Sequence, residues 1–110
     1  MKQYVIDELR PDDNQILKEH LDAHYAVPGF EGLYWLPLDP PMYEQVQEKH
    51  IQCQPFYFAA ELSPERLACE LLVRTNKRVR CDCIRYATEK QRNWLIHFVD
   101  AICDHLNIIT

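Results

Sequence analysis

Cysteines and histidines are the residues in this chain whose type and spacing bear most directly on chemistry. The cysteines are Cys53, Cys69, Cys81, Cys83 and Cys103. Cys81-Asp82-Cys83 places two thiols two residues apart. Metal sites carried on one turn normally use Cys-x-x-Cys, because that turn lets both thiolates reach one ion. In an extended strand, Cys-x-Cys instead points both thiols to one face. With Cys69 on the adjacent strand, three thiols would share that face. They can then form a metal or redox site, or pack as small hydrophobes beneath a helix. Free cysteine is among the most buried residue types, so packing is the first reading and Cys69, Cys81 and Cys83 are the candidates if chemistry is present.

His20 and His24 have the i, i+4 spacing that can chelate a metal from one helix face. The run is His-Leu-Asp-Ala-His, without the glutamate of a zincin, and no third ligand is indicated. The expectation is a place at the margin of a buried helix stripe. His50 and Cys53 form a thiol–imidazole pair of the kind that makes a nucleophilic thiolate, with Cys53 the expected exposed thiol. Other chemistries fall away. The only serine, Ser63, sits in Leu-Ser-Pro-Glu without nucleophile-elbow glycines. Pro-Gly-Phe-Glu-Gly at 28–32 is no phosphate-binding loop. The residues therefore assign no catalytic group, no resident metal and no cofactor.

Charge supplies a second kind of candidate. The net charge is −5, but residues 1–65 carry −8 and residues 66–92 carry +5. The cations concentrate in a predicted hairpin holding Arg74, Lys77, Arg78 and Arg80. That tip can meet nucleic acid, an acidic protein or a phosphorylated ligand. It can equally be a solvated turn that keeps sheet edges apart. The acidic remainder and the lack of a nucleic-acid motif speak against nucleic acid. A proline-rich segment over 27–43 adds Phe30, Tyr34, Trp35 and Tyr43. Such aromatics anchor partners or fill a core.

The elements that must position these groups follow from periodicity. The chain has 110 residues, 47% of them hydrophobic, which suits one domain over 1–110. Alternation predicts a strand over 2–9, with Tyr4 and Ile6 on one face and Val5 and Leu9 on the other. Pro11-Asp12-Asp13 opens a helix over 12–25, lined by Ile16, Leu17 and Leu21. A strand follows over 30–38, then a short helix over 40–50. Three strands, 55–62, 66–75 and 78–86, joined by short turns, predict an antiparallel meander. Thr88 and Gln91 form a capping box for a helix over 88–107, whose stripe is Leu95, Phe98, Val99, Ile102 and Leu106.

The expected fold is α+β: a single antiparallel sheet of about five strands, in the order β-α-β-(α)-β-β-β-α, packed on a long C-terminal helix and an N-terminal helix. That element order resembles the TATA-binding-protein-like and helix-grip folds. The resemblance lies in element order and implies a curved sheet wrapping helices. It carries no activity.

The N-terminal run is interrupted by Asp7 and Glu8 and does not read as a signal peptide. No stretch reaches the ~18 apolar residues of a membrane helix. An odd number of cysteines without a secretory signal predicts reduced thiols and a cytoplasmic location. The leading functional reading is a non-enzymatic protein-interaction module, self-associating through its opposite charges. The alternative is a thiol- or metal-dependent enzyme or sensor using Cys81, Cys83 and Cys69. A second alternative is nucleic-acid or anionic-ligand binding through the hairpin 74–80.

Overall fold

The first strand, β1 (Gln3–Ile6), is shorter than alternation alone predicts. Glu8 turns the chain with a positive φ of 56°, and that turn sends Leu9 into the core beside Ile6 instead of to the opposite face. The structure, a computed structural model, describes residues 1–109. Helix α1 (Pro11–His24) starts at the proline, with Asp12 and Asp13 in its first turn. Asp13, Leu17 and Leu21 form its buried i, i+4 row, while Ile16 is 41% exposed and lies off the stripe.

Strand β2 (Leu33–Pro37) follows Gly29 and Gly32. Gly32 has φ +77°, and a Cβ there would lie 3.1 Å from the Leu62 carbonyl oxygen, so glycine lets the two backbones meet. The predicted helix over 40–50 is broken into three pieces. A 3₁₀ turn at Pro40–Met42 precedes a one-turn helix α2 (Gln45–Lys49), and a second 3₁₀ turn spans Ile51–Cys53. The prolines explain the break: Pro40 and Pro41 set a tight first turn, but the chain re-extends at Tyr43 and Glu44 before winding again.

Strands β3 (Phe56–Ser63) and β4 (Arg66–Thr75) form a long hairpin with an irregularity between Phe58 and Ala60. The predicted fifth strand over 78–86 contracts to β5 (Arg85–Tyr86), which pairs with Leu72 and Val73 of β4. Residues 78–84 make no strand. Val79, whose alternation with Cys81 and Cys83 reads as a strand in the sequence, is 88% exposed. The sheet is antiparallel and open, in the order β1-β4-β3-β2, and β5 lies on the same edge of β4 as β1.

One sheet face carries Ile6, Tyr34, Leu36, Phe56, Phe58, Ala60, Leu67, Cys69 and Val73, all buried. Leu17 and Leu21 of α1 belong to the same core cluster, as do Leu95, Val99 and Cys103 of α3 (Glu89–His105). Burying each leucine contributes roughly 1.5–3 kcal/mol. Both ends of α3 are closed. Thr88 Oγ1 accepts from the Gln91 backbone at 3.1 Å, and the Gln91 side chain accepts from the Thr88 N–H at 3.1 Å. At the other end Asn107 takes φ 60°, and the Ile108 N–H reaches the Cys103 carbonyl at 2.9 Å. That is a Schellman stop, with Ile108 buried behind it. Among the described residues, no helix is long and apolar enough to cross a membrane.

Candidate metal centre

Two irregular segments meet where β4 gives out. The first arm is a His-x-x-Cys turn: the Cys53 N–H donates to the His50 carbonyl at 2.9 Å, so imidazole and thiol stand at the two ends of one tight turn. The second arm is Cys81-Asp82-Cys83 in the loop before β5. There the Ile84 N–H donates to the Cys81 carbonyl at 3.0 Å. That turn aims both thiols at the His50–Cys53 turn, which an extended Cys-x-Cys would not do toward a single point.

The outcome is one four-donor group. A ring nitrogen of His50 and the sulfurs of Cys53, Cys81 and Cys83 all lie within 4.8 Å of one another. His50 Nδ1 is 3.1 Å from Cys81 Sγ, and the Cys53 and Cys81 sulfurs are 3.9 Å apart. A tetrahedral zinc with Zn–S bonds of about 2.3 Å requires sulfur–sulfur edges of about 3.8 Å. The donors therefore already stand near the spacing of a three-thiolate, one-imidazole site.

Buried amides fix the two arms to the rest of the fold. Gln47, fully buried in α2, donates from Nε2 to the Cys83 carbonyl at 3.2 Å. Its Oε1 accepts from the Glu44 N–H at 2.8 Å and from Gln91 Nε2 at 3.0 Å. Gln91 also donates to the Met42 carbonyl at 3.0 Å. Thr75, the last residue of β4, donates its hydroxyl to the Cys53 carbonyl and accepts the Lys77 N–H at 3.1 Å. Gln54 Nε2 caps the end of α2, reaching the Gln47 and Glu48 carbonyls at 3.2 and 3.3 Å. Buried side chains that satisfy backbone groups in this way hold irregular chain where no ladder can. Gln47 and Gln91 had no signal as site residues in the sequence beyond the capping box.

The electrostatics separate the thiols. The Cys83 backbone N–H donates to the Cys81 sulfur, and together with the Cys83 thiol, His50 and Cys53 it lowers the Cys81 pKa from 9.0 to about 6. Burial pushes the Cys83 thiol up. Cys81 is thus a readier thiolate than Cys83, whose proton a bound metal cation would displace. Cys53, Cys81 and His50 line an open cavity of about 530 Å³, with Lys49 and Arg78 at its walls.

The remaining sequence candidates fall elsewhere. Cys69 does not join Cys81 and Cys83. It is fully buried in β4 facing the core, whereas those two lie beyond the sheet. The shared-face expectation fails because residues 78–84 are loop, not strand. His20 and His24 lie with ring centroids 4.6 Å apart beside Tyr25, and they belong to no metal-ligating group among the described residues. Arg74 sits in β4 and is engaged by both oxygens of Glu70 at 2.8 and 3.3 Å. Lys77, Arg78 and Arg80 are exposed in the loop and form no salt bridge among the described residues. Of the aromatics, Tyr34 is core and donates to Asp22 at 2.7 Å, and Tyr43 packs edge-on to Phe56. Trp35 lies against Tyr57 on the open sheet face, and Phe30 is 64% exposed.

No protein-family model, curated protein or solved structure matches the chain.

Proposed function

We propose that this chain is a zinc-binding α+β domain whose His50, Cys53, Cys81 and Cys83 hold one ion. The observation that carries this reading is the convergence of four donor atoms within 4.8 Å from two separate loops. Three thiolates and one imidazole are a soft donor set that suits tetrahedral zinc. With all four positions taken by protein, the ion is structural: it clips the 76–84 loop to the α2 segment. Zinc with three thiolates carries one net negative charge, and Lys49 and Arg78 at the mouth offset it. This reading ranks above the non-enzymatic protein-interaction module expected from the sequence, because neither the polarised charge nor the aromatic segment asks for an imidazole among three thiols.

The fold part of the proposal is a helix-grip-like arrangement in one domain, supported by the element order and by both helices sharing one core. A reducing cytoplasm is the compartment that suits five free thiols.

The test is metal analysis of protein purified without chelator, followed by stripping and titration with zinc and cobalt. Equimolar zinc and the ligand-field spectrum of tetrahedral thiolate cobalt are expected. Saturating zinc at 100 times Kd adds about 2.7 kcal/mol, a rise in Tm of roughly 10–20 °C for a domain of this size. Stripped protein that takes up neither ion, or that binds without change in Tm, overturns the reading.

A further inference from the structure

We infer that Cys53 and Cys81 are an oxidation site for peroxide, and that the disulfide they form expels the metal. The inference rests on the zinc reading for its consequence, but the disulfide itself rests on thiol geometry alone. Three sulfurs share the centre. Cys81 is half-buried and lines the open cavity, and Cys83 is fully buried. Cys53 borders the same cavity but is only 2% exposed, because its turn packs into the core and not, as the sequence led one to expect, out toward solvent. The Cys53 and Cys81 sulfurs are already 3.9 Å apart. A disulfide needs about 2.05 Å, so the gap to close is under two ångströms. Cys81 lies in a loop outside the sheet ladder, where no strand hydrogen bond opposes so small a shift. His50 Nδ1, 3.1 Å from the Cys81 sulfur, and the Arg78 and Lys49 side chains at the cavity wall surround the point of attack with polar and cationic groups.

The chemistry balances with hydrogen peroxide as oxidant. The Cys81 thiolate attacks one peroxide oxygen; the S–O bond forms, the O–O bond breaks, and hydroxide leaves to become water on taking a proton. The Cys53 thiolate then attacks the Cys81 sulfur; the S–S bond forms, the S–O bond breaks, and a second hydroxide leaves as water. Two electrons pass from the thiols to the peroxide oxygens. The zinc loses two of its four ligands, and His50 with Cys83 alone does not complete a tetrahedral site. Cys69 and Cys103 are enclosed between sheet and helix and line no part of that cavity, so they stay outside this reaction.

The experiment uses the zinc-loaded full chain with hydrogen peroxide. Released zinc is followed with a chromogenic chelator, and cysteine linkage is read by peptide mass mapping after alkylation. Equimolar loss of zinc, a Cys53–Cys81 disulfide, intact Cys69 and Cys103 thiols, and recovery of zinc binding on adding a thiol reductant are expected. Zinc loss accompanied by a Cys81–Cys83 linkage, or by sulfinic acid without a disulfide, overturns the inference. Retention of zinc under peroxide overturns it too, while leaving the metal reading intact. Chelator-stripped wild-type protein is oxidised in parallel. If it forms the Cys53–Cys81 disulfide but never takes up zinc, the metal reading fails and the oxidation site stands. Cys53→Ser in the stripped state should accumulate a Cys81 sulfenic acid trapped by a dione probe, at least tenfold above wild type. An equal yield in both proteins counts against Cys53 as the resolving thiol.

Discussion

The chain holds two thiol neighbourhoods built in opposite ways. Cys69 in β4 and Cys103 in α3 are 0% and 2% exposed, carried inward by regular elements whose faces are apolar. Burial pushes their thiols up to about 12 and about 11. Cys53, Cys81 and Cys83 are carried by turns, stand beside an imidazole, and include a thiol held below its usual range. Regular structure delivers a side chain to a face; irregular structure delivers several to a point. A metal needs a point, so the donors come from loops, and buried amides such as Gln47 and Gln91 replace the missing ladder.

The largest test of that contrast is a pair of substitutions. Cys81→Ser should lower zinc affinity by more than about 100-fold, since removing a ligand exceeds the 10–100-fold typical of outer-shell changes. Cys69→Ser should leave zinc stoichiometry unchanged and lower stability by about 1–3 kcal/mol, because a hydroxyl is left in an apolar interior. Competition titration and urea unfolding of the zinc-loaded proteins read the two effects. If Cys69→Ser strips the metal as thoroughly as Cys81→Ser, the neighbourhoods are not separate.

A finer test asks whether the amides position the loops. Gln47→Leu removes the donor to the Cys83 carbonyl, leaves the Glu44 N–H without its acceptor and leaves the Gln91 amide with the Met42 carbonyl alone. The expected cost is about 1–3 kcal/mol in the metal-free protein and a roughly 10–100-fold weaker hold on zinc. A variant that loses stability but keeps full zinc affinity would reduce Gln47 to a packing residue.

The sequence foretold the regular half of this molecule better than the irregular half. Pro11 and the Thr88–Gln91 capping box announce α1 and α3 because their signals are local. The β3–β4 hairpin follows from alternation and a Ser63-Pro64-Glu65 turn. Alternation misleads at Val79-Arg80-Cys81-Asp82-Cys83, where a strand-like pattern is used to place thiols in a loop instead of a face. The His50-x-x-Cys53 spacing is itself a two-ligand signal. It was legible as a thiol–imidazole pair, but its completion by Cys81 and Cys83, some thirty residues on, depends on tertiary contact. Cys69 lies nearer in sequence to Cys81 and is the third thiol that sequence alone selects. Only the loss of the strand over 78–84 separates them.

The smallest effect is a difference of sign with pH, and it sharpens the contrast most directly. In metal-free protein the Cys81 pKa is lowered from 9.0 to about 6. A group with a depressed folded pKa contributes stability that is present above its unfolded value and lost as pH falls through the folded one. Cys81 therefore favours the fold above pH 9 and surrenders that advantage between pH 9 and about 6. Cys69 runs the other way: with its pKa raised from 9.0 to about 12, its contribution is full below pH 9 and is lost as pH rises toward 12. Alkylation reads both. The Cys81 rate in stripped protein should level off above about pH 7 and fall about tenfold per pH unit below its pKa. Cys69 and Cys103 should stay unmodified at pH 8 until the chain unfolds. A Cys81 midpoint at 9, the ordinary thiol value, would mean that the Cys83 N–H and His50 do not hold its thiolate. Reaction of Cys69 at the rate of Cys81 would erase the distinction between thiols placed on a face and thiols brought to a point.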